Sequence, residues 1–140
     1  MRTHRRTIQV AWGDCDGAEI VYYPNYFNWF DGSTHALLRN LGLGMDAIRR
    51  RYGVIGTPLV DARASFGVAS AYGDVLDCEA AIVEWGRSSF KVHHRLLKAG
   101  MLAVEGWETR VWAAQDPSRP GGIRAVPIPT EVVRLFEGEG

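Results

Sequence analysis

Residues 10–31 read VAWGDCDGAEIVYYPNYFNWFD. An alternating apolar run ends at Gly13. Asp14 and Asp16 follow with one residue between them, and a short, mostly apolar link leads to Tyr23-Pro24-Asn25-Tyr26, where a helix is expected to begin. A carboxylate cluster therefore stands just before a helix N-terminus, whose first backbone N–H groups have no partner inside the helix. Acids or bases beside free N–H donors are the groups needed to attack and polarise a carbonyl.

Upstream, Thr7 to Trp12 alternates, with Ile8, Val10 and Trp12 on one face, which predicts a half-buried strand. Gly13 to Gly17 predicts a turn. Downstream, Pro24 suits the first helical turn, where its missing N–H costs nothing. Tyr26, Phe27, Phe30, Leu37, Leu38 and Leu41 follow helical spacing and form one broad stripe, while Asn28, His35 and Arg39 fall elsewhere. Gly42 and Gly44 supply the stop, so a helix of about four to five turns is predicted. Met45 to Tyr52 predicts a shorter helix ending at Gly53. Strands are predicted over 54–70, 74–85, 88–97 and 102–112, with breaks at Gly73-Asp74, Gly86 and Ala99-Gly100. Residues 116–122, DPSRPGG, form a loop; 123–128 are extended, and 129–136 close the chain with a helical turn or two, with Val132, Val133 and Phe136 as its apolar side. A strand, a long amphipathic helix and a run of antiparallel strands predict an α+β domain in which one curved sheet covers one helix. Such a sheet has open edges, which a chain this small often closes by forming a homodimer.

At 140 residues, 46% hydrophobic and 23% charged, residues 1–140 are expected to form one domain with a real core. The formal net charge of zero argues against nucleic acid or a membrane surface as the main partner. Of the 16 basic residues only Lys91 and Lys98 are lysines. Arginine's planar fork suits phosphate, although genomic codon bias alone gives the same ratio. Cys15 and Cys78 make no disulfide framework. No apolar signal core follows the basic Thr3 to Arg6, and no run is long enough to span a bilayer, so a cytoplasmic location with reduced thiols is expected.

Asp14, Asp16 and Glu19 crowd three carboxylates into six residues, which favours a base or acid near neutrality. From spacing alone, a solvated Asp-x-Asp-Gly turn is the simpler reading. An EF-hand would need ligands where Ala18 and Asn25 stand. The aspartyl nucleophile of doubly wound phosphatases would need an unbroken apolar strand before it and alternating strands and helices after it, and neither is present. Cys15, between two acids, makes a poor nucleophile. His4, His35, His93 and His94 show no zinc-ligand spacing, and His93 and His94 point to opposite faces of a strand. Asp31 and His35 are one helical turn apart and can pair. No Gly-x-Ser-x-Gly elbow exists, which disfavours a serine hydrolase. Asp16 on one side of a carbonyl, with the N–H groups around Tyr23 to Tyr26 on the other, would supply the parts for acyl transfer.

Gly13-Asp14-Cys15-Asp16, Ile20-Val21, Tyr23-Pro24-Asn25-Tyr26 and Trp29, followed by Gly56-Thr57-Pro58, Ala64-Ser65-Phe66, Tyr72, Asp74-Val75-Leu76, Glu84-Trp85, Arg87 and Ser89-Phe90, occur in that order across most of the chain. This pattern resembles the hotdog-fold acyl-CoA thioesterases, most closely the bacterial 4-hydroxybenzoyl-CoA thioesterase group. The resemblance implies a sheet of about five antiparallel strands wrapped around one long helix, working as a homodimer or a dimer of dimers. It implies hydrolysis of an aromatic, 4-hydroxybenzoyl-like or related acyl-CoA, with Asp16 as nucleophile or general base and the Tyr23 N–H on the thioester oxygen. Asn25 and Asp31 become candidate substrate contacts, and Thr57 lies in a segment that lines the acyl site from the other subunit. Arg87, Ser88, Ser89 and Lys91, and more weakly Arg124 in the loop after Arg119, fall where the family meets coenzyme A. No metal is implied, nor any cofactor beyond the coenzyme A of the substrate. Five positions depart from the pattern. Glu19 replaces a glycine, Gly17 a proline, and Gly86 and Ser88 more basic residues. Arg63 stands where a smaller polar residue is expected, within reach of an acidic acyl substituent; Glu19 and Arg63 are thus further substrate-binding candidates. A short-chain aliphatic thioesterase, an acyl-CoA hydratase and a non-catalytic acyl-CoA-binding module are the alternatives.

Overall fold

A computed structural model describes residues 1–138; residues 139 and 140, the end of the expected domain, lie outside the described residues. The elements are β1 (Thr3–Gln9), α1 (Pro24–Asn40), α2 (Met45–Tyr52), β2 (Leu59–Phe66), β3 (Val75–Trp85), β4 (Ser89–Lys98), β5 (Met101–Val111), β6 (Ala113–Gln115), β7 (Ile123–Ala125) and α3 (Thr130–Glu137). Five strands form one antiparallel sheet in the order β1-β3-β4-β5-β2, and β6 pairs with β7 as a separate hairpin. The sheet wraps α1, the hotdog arrangement that the sequence pattern implies.

The period-two pattern of β3, β4 and β5 decides which face meets the helix. Cys78, Ala80 and Ile82, then Phe90, Val92, His94 and Leu96, then Val104, Gly106, Glu108 and Arg110, lie in register on the covered face. Against them α1 sets Tyr26, Phe30, Leu37 and Leu38, with Ser33 and Thr34 buried between. Phe27 and Leu41, expected in the same stripe, pack only at its margin. Arg6 ties β1 to α1, Nε donating to Ser33 Oγ at 2.8 Å and Nη2 to the Trp29 carbonyl at 2.8 Å. Trp112, Val132 and Phe136 close the core at the far end of the helix, where α2 adds Ile48.

Three sequence expectations need correction. The first strand ends at Gln9, and Trp12, expected to face inward, is 71% exposed in a short 3-10 turn. Val10 still donates in register to the Asp74 carbonyl, but its own carbonyl accepts from Gly73, and the Asp14 carboxylate then accepts the Ala11 N–H at 2.8 Å and bends the chain. The long extended region 54–70 contains only the eight-residue β2, because its two ends serve as connections that bond to Ala113, Val111 and Ala103. The hairpin partner of 123–125, Ala113–Gln115, was not anticipated, since three residues carry too little periodicity to read.

Candidate active site

Residues 14–22 form a tight loop closed at its base. The Asp14 carbonyl accepts both the Tyr22 N–H at 2.8 Å and Asn25 Nδ2 at 2.8 Å, and Cys15 bridges Val21. Asn25, a candidate substrate contact, thus uses its amide to hold the loop to the first turn of α1. At the tip, Asp16 accepts the Ala18 N–H at 2.9 Å on one carboxylate oxygen, and its own N–H donates to the Ile20 carbonyl. The Asp-x-Asp-Gly turn chemistry expected from sequence is present, with Asp16 exposed at its tip. Glu19 completes the turn at a φ of 65°.

Tyr23 caps α1 with helical dihedrals, and Pro24 follows as the first helical residue. The Asn25 and Tyr26 N–H groups bond back to the Tyr22 and Tyr23 carbonyls. The Tyr23 N–H has no hydrogen-bond partner among the described residues. A free donor at the positive end of a helix of 17 residues therefore follows directly on the Asp16 loop.

An open cavity of about 440 Å³ is lined by Trp12, Cys15, Asp16, Gly17, Glu19, Ala71 and Tyr72. Trp12 and Tyr72 meet edge to face at 5.7 Å and stay largely exposed. Cys15 is half-buried here, while Cys78 is buried in the core, where desolvation pushes its thiol up to about 11.

The other candidates lie elsewhere. Asp31 sits two turns into α1, half-exposed, with Oδ1 at 2.7 Å from Arg110 Nη2 and 3.4 Å from His35 Nε2. Thr57 is buried just before β2, with its carbonyl accepting Arg110 Nη1 at 3.0 Å and its Oγ1 unpartnered. Arg87, Ser88 and Ser89 make the bend between β3 and β4, packed onto the Trp112 and Ile128 backbone. Lys91 pairs with Glu84 at 3.4 Å, and Arg124 on β7 with Asp116 at 3.7 Å. Thr57, Arg87 to Lys91 and Arg124 therefore gather at the Leu59 end of β2, whereas the Asp16 loop lies toward its Phe66 end, where Phe66 meets Tyr26 at 5.5 Å. Eight strand residues separate the two ends by about 25 Å. Arg63 is on the sheet face away from α1, stacked over Trp107 at 4.8 Å. One chain thus does not bring Arg63 to Asp16 or Asp31.

Sequence reading missed a buried polar cluster. Glu108 and Arg110, 2% and 3% exposed, point into the core from β5, facing Thr34 of α1 and fully buried His94 of β4. Glu108 accepts from Thr34 Oγ1, from His94 Nε2 at 2.9 Å and from Arg110 Nη2 at 2.7 Å. Burial by itself would raise the Glu108 carboxyl; the hydrogen bonds from His94 and Arg110 and the Arg110 charge outweigh it and hold it at about 2. Burial keeps His94 below its ordinary value, hence neutral, stacked on Phe30 at 4.7 Å. The signal was present in the sequence: Glu108 and Arg110 share the strand parity of Val104 and Trp112.

A profile of the thioesterase-like superfamily matches residues 10–136. The chain belongs to that superfamily. Among its curated relatives, the 4-hydroxybenzoyl-CoA thioesterase of Pseudomonas sp. (strain CBS-3) is 34% identical over 91% of this chain and 92% of that protein. A crystal structure of a 4-hydroxybenzoyl-CoA thioesterase variant complexed with 4-hydroxybenzoyl-CoA superposes with a TM-score of 0.88 at 33% identity, covering 97% of this chain and 99% of that one. A gentisyl-coenzyme A thioesterase superposes with a TM-score of 0.80 at 30% identity over 96% and 99% of the two chains. No helix among the described residues of this superfamily member is long and apolar enough to cross a membrane.

Proposed function

We propose that this member of the thioesterase-like superfamily is an acyl-CoA thioesterase for aromatic acyl groups, working as a homodimer or dimer of dimers. The reading is carried by one observation: exposed Asp16 lines a cavity at the tip of a loop whose base leads straight to the unpartnered Tyr23 N–H. The thioester oxygen sits at that N–H, where the helix dipole favours developing negative charge. The Asp16 carboxylate then attacks the carbonyl, or takes a proton from the water that does, and coenzyme A leaves as the thiol. No metal takes part.

Asp31 receives the far end of the acyl group. It follows Tyr23 by eight residues, about 12 Å of helix at 1.5 Å per residue. One aromatic ring with a hydrogen bond of about 2.9 Å at each end spans such a distance. Relatives that act on hydroxylated aryl-CoA esters support the same substrate class. Asn25 holds the loop, and Glu19 shapes the cavity floor.

A second copy completes the site. Every residue of β2 except Ala64 is exposed, with Leu59, Val60 and Phe66 uncovered at the sheet edge. A two-fold axis through antiparallel β2 strands sets the Phe66 end of one chain beside the Leu59 end of the other. That brings the partner's Thr57 and its phosphate-binding Arg87, Ser88, Ser89, Lys91 and Arg124 toward Asp16. Arg63, near the middle of the same edge, is then available to the bound ester from the outer face.

Thiol release across benzoyl-, 4-hydroxybenzoyl-, phenylacetyl- and fatty acyl-CoA tests the reading. Wild-type protein is expected to prefer hydroxylated aryl esters. Asp16→Asn keeps the fold and oligomer and loses about two to four powers of ten in turnover. Wild-type-like turnover in that variant overturns the assignment, and a short aliphatic preference replaces the substrate class.

A further inference from the structure

We propose that Arg110, neutralised by Glu108, is a positioning residue that fixes Asp31 as a hydrogen-bond acceptor at the far end of the acyl site, so that the site selects aryl groups bearing a hydroxyl or other donor there. The proposal rests on the thioesterase reading above and adds the machinery behind its selectivity.

Arg110 is an unusual core residue: a guanidinium 3% exposed on the sheet face that packs against α1. Burying such a charge is costly unless it is paired and hydrogen-bonded. Glu108, two residues earlier and so on the same face, supplies the pairing, with Oε2 at 2.7 Å from Nη2 and Oε1 at 3.3 Å from Nε. Glu108 is in turn anchored by Thr34 and His94, so neither partner is free to turn toward solvent. The two opposite charges cancel inside the core.

The remaining donors of the guanidinium reach outward in two directions. Nη1 donates to the Thr57 carbonyl at 3.0 Å, and Nη2 donates to Asp31 Oδ1 at 2.7 Å. One rigid fork thus links β5, the segment before β2 and α1. Asp31 is the third charge of the group and the only half-exposed one. With Oδ1 held by Arg110 and approached by His35 at 3.4 Å, the carboxylate is locked in one orientation, and Oδ2 accepts no protein hydrogen bond among the described residues. The balance of Asp31, Arg110 and Glu108 is one net negative charge, located at the solvent-facing member. A hydroxyl donates to it; an acyl group ending in a carboxylate is repelled. A lysine at 110 offers a point charge on a flexible stem and cannot hold Glu108, Thr57 and Asp31 together.

The test measures calorimetric binding of non-cleavable thioethers, in which a methylene separates sulfur from the carbonyl: 4-hydroxyphenacyl-CoA, phenacyl-CoA and 4-carboxyphenacyl-CoA. Wild type is expected to bind the hydroxyl analogue about tenfold or more tighter than the other two, the strength of a hydrogen bond to a charged acceptor. Arg110→Lys and Asp31→Ala each bring the three analogues to within about threefold of one another, chiefly by weakening the hydroxyl analogue, and combining them costs nothing further. Because Arg110→Met strands Glu108, the paired variant Glu108→Gln/Arg110→Met removes both charges at once and is expected to fold with the same lost preference. Equal weakening of all analogues, or an undiminished preference in Arg110→Lys, overturns the proposal. Wild type that hydrolyses aryl-CoA esters but binds the analogues equally overturns it while leaving the thioesterase reading intact. Wild type that releases no thiol yet shows the tenfold preference does the reverse.

Discussion

Phe30 and Gly106 occupy what is nearly one space: a methyl group on residue 106 would lie 2.3 Å from Phe30 Cε2 and 2.4 Å from its Cζ. The ring of Phe30 is fully buried and stacked on His94, the cross-strand partner of Gly106, so it has little room to retreat. Gly106→Ala is therefore expected to cost about 1–3 kcal/mol by overpacking. Phe30→Leu should recover part of that loss in the double variant although it is destabilising alone. Urea unfolding of the four proteins of the cycle measures the coupling; additive losses would show that the two positions do not share the space.

Glu19 holds a φ of 65° that a side chain enters at a cost of about 1 kcal/mol or more. Glycine relieves this but adds about 0.5–1 kcal/mol of unfolded-chain entropy. The two nearly cancel, so Glu19→Gly should leave thermal stability within about 1 kcal/mol of wild type. Glu19→Val, β-branched in the same conformation, should lose about 1–2 kcal/mol. Scanning calorimetry of both variants checks the order; a Gly variant less stable than the Val variant would contradict it.

Acid should destabilise this protein in two stages. Burial sets folded His94 below its ordinary 6.5, so below that pH the unfolded chain binds the extra proton and stability falls. Glu108, near about 2 when folded against an ordinary 4.5, adds a second loss as pH drops from 4.5 toward 2. Both contributions are fully present above pH 6.5. His94→Gln keeps a donor toward Glu108 without a titrating group. It should flatten the urea-midpoint profile just below pH 6.5 and leave the lower stage in place, and an unchanged profile would rule out His94 as the source.

The exposed β2 edge predicts the oligomer. Leu59→Lys/Val60→Lys places two charges where the paired edge must lie dry, and sedimentation velocity should show a shift toward monomer with an unchanged circular-dichroism spectrum. Thiol release should fall along with assembly, because Thr57 and Asp16 of one chain stand at opposite ends of β2. A variant that stays fully assembled would place the interface on another surface.

Much of this fold was legible because its signals are local. The helix from Pro24 to Asn40 follows from an N-terminal proline, an apolar stripe and a glycine stop, and β3, β4 and β5 from alternation between turn residues. The Asp16 turn and the Tyr23 cap were legible for the same reason: the bonds of Asp14 with Tyr22 and Asn25, and of Asp16 with Ala18 and Ile20, span 11 residues or fewer, while the Val21 N–H donating to the Ser70 carbonyl is a distant tie. Trp12 was misplaced because the Asp14 side chain, accepting the Ala11 N–H, turns the chain out of the strand, and that contact does not act through periodicity. The buried Glu108–Arg110 pair was passed over although its parity matched the core, since charge ordinarily signals a solvated face.

By itself the sequence determined one wrapped helix, an antiparallel sheet and a carboxylate placed ahead of a helix N-terminus, because side-chain periodicity and capping act over a few residues. Tertiary structure alone decided that Arg110 reaches Asp31 across 79 residues, that Gly106 makes room for Phe30, and that Thr57 and Asp16 of one chain lie at opposite ends of a strand. Those relationships depend on strand order and register, which are set when the whole sheet closes on the helix and are not written in any one stretch of the chain.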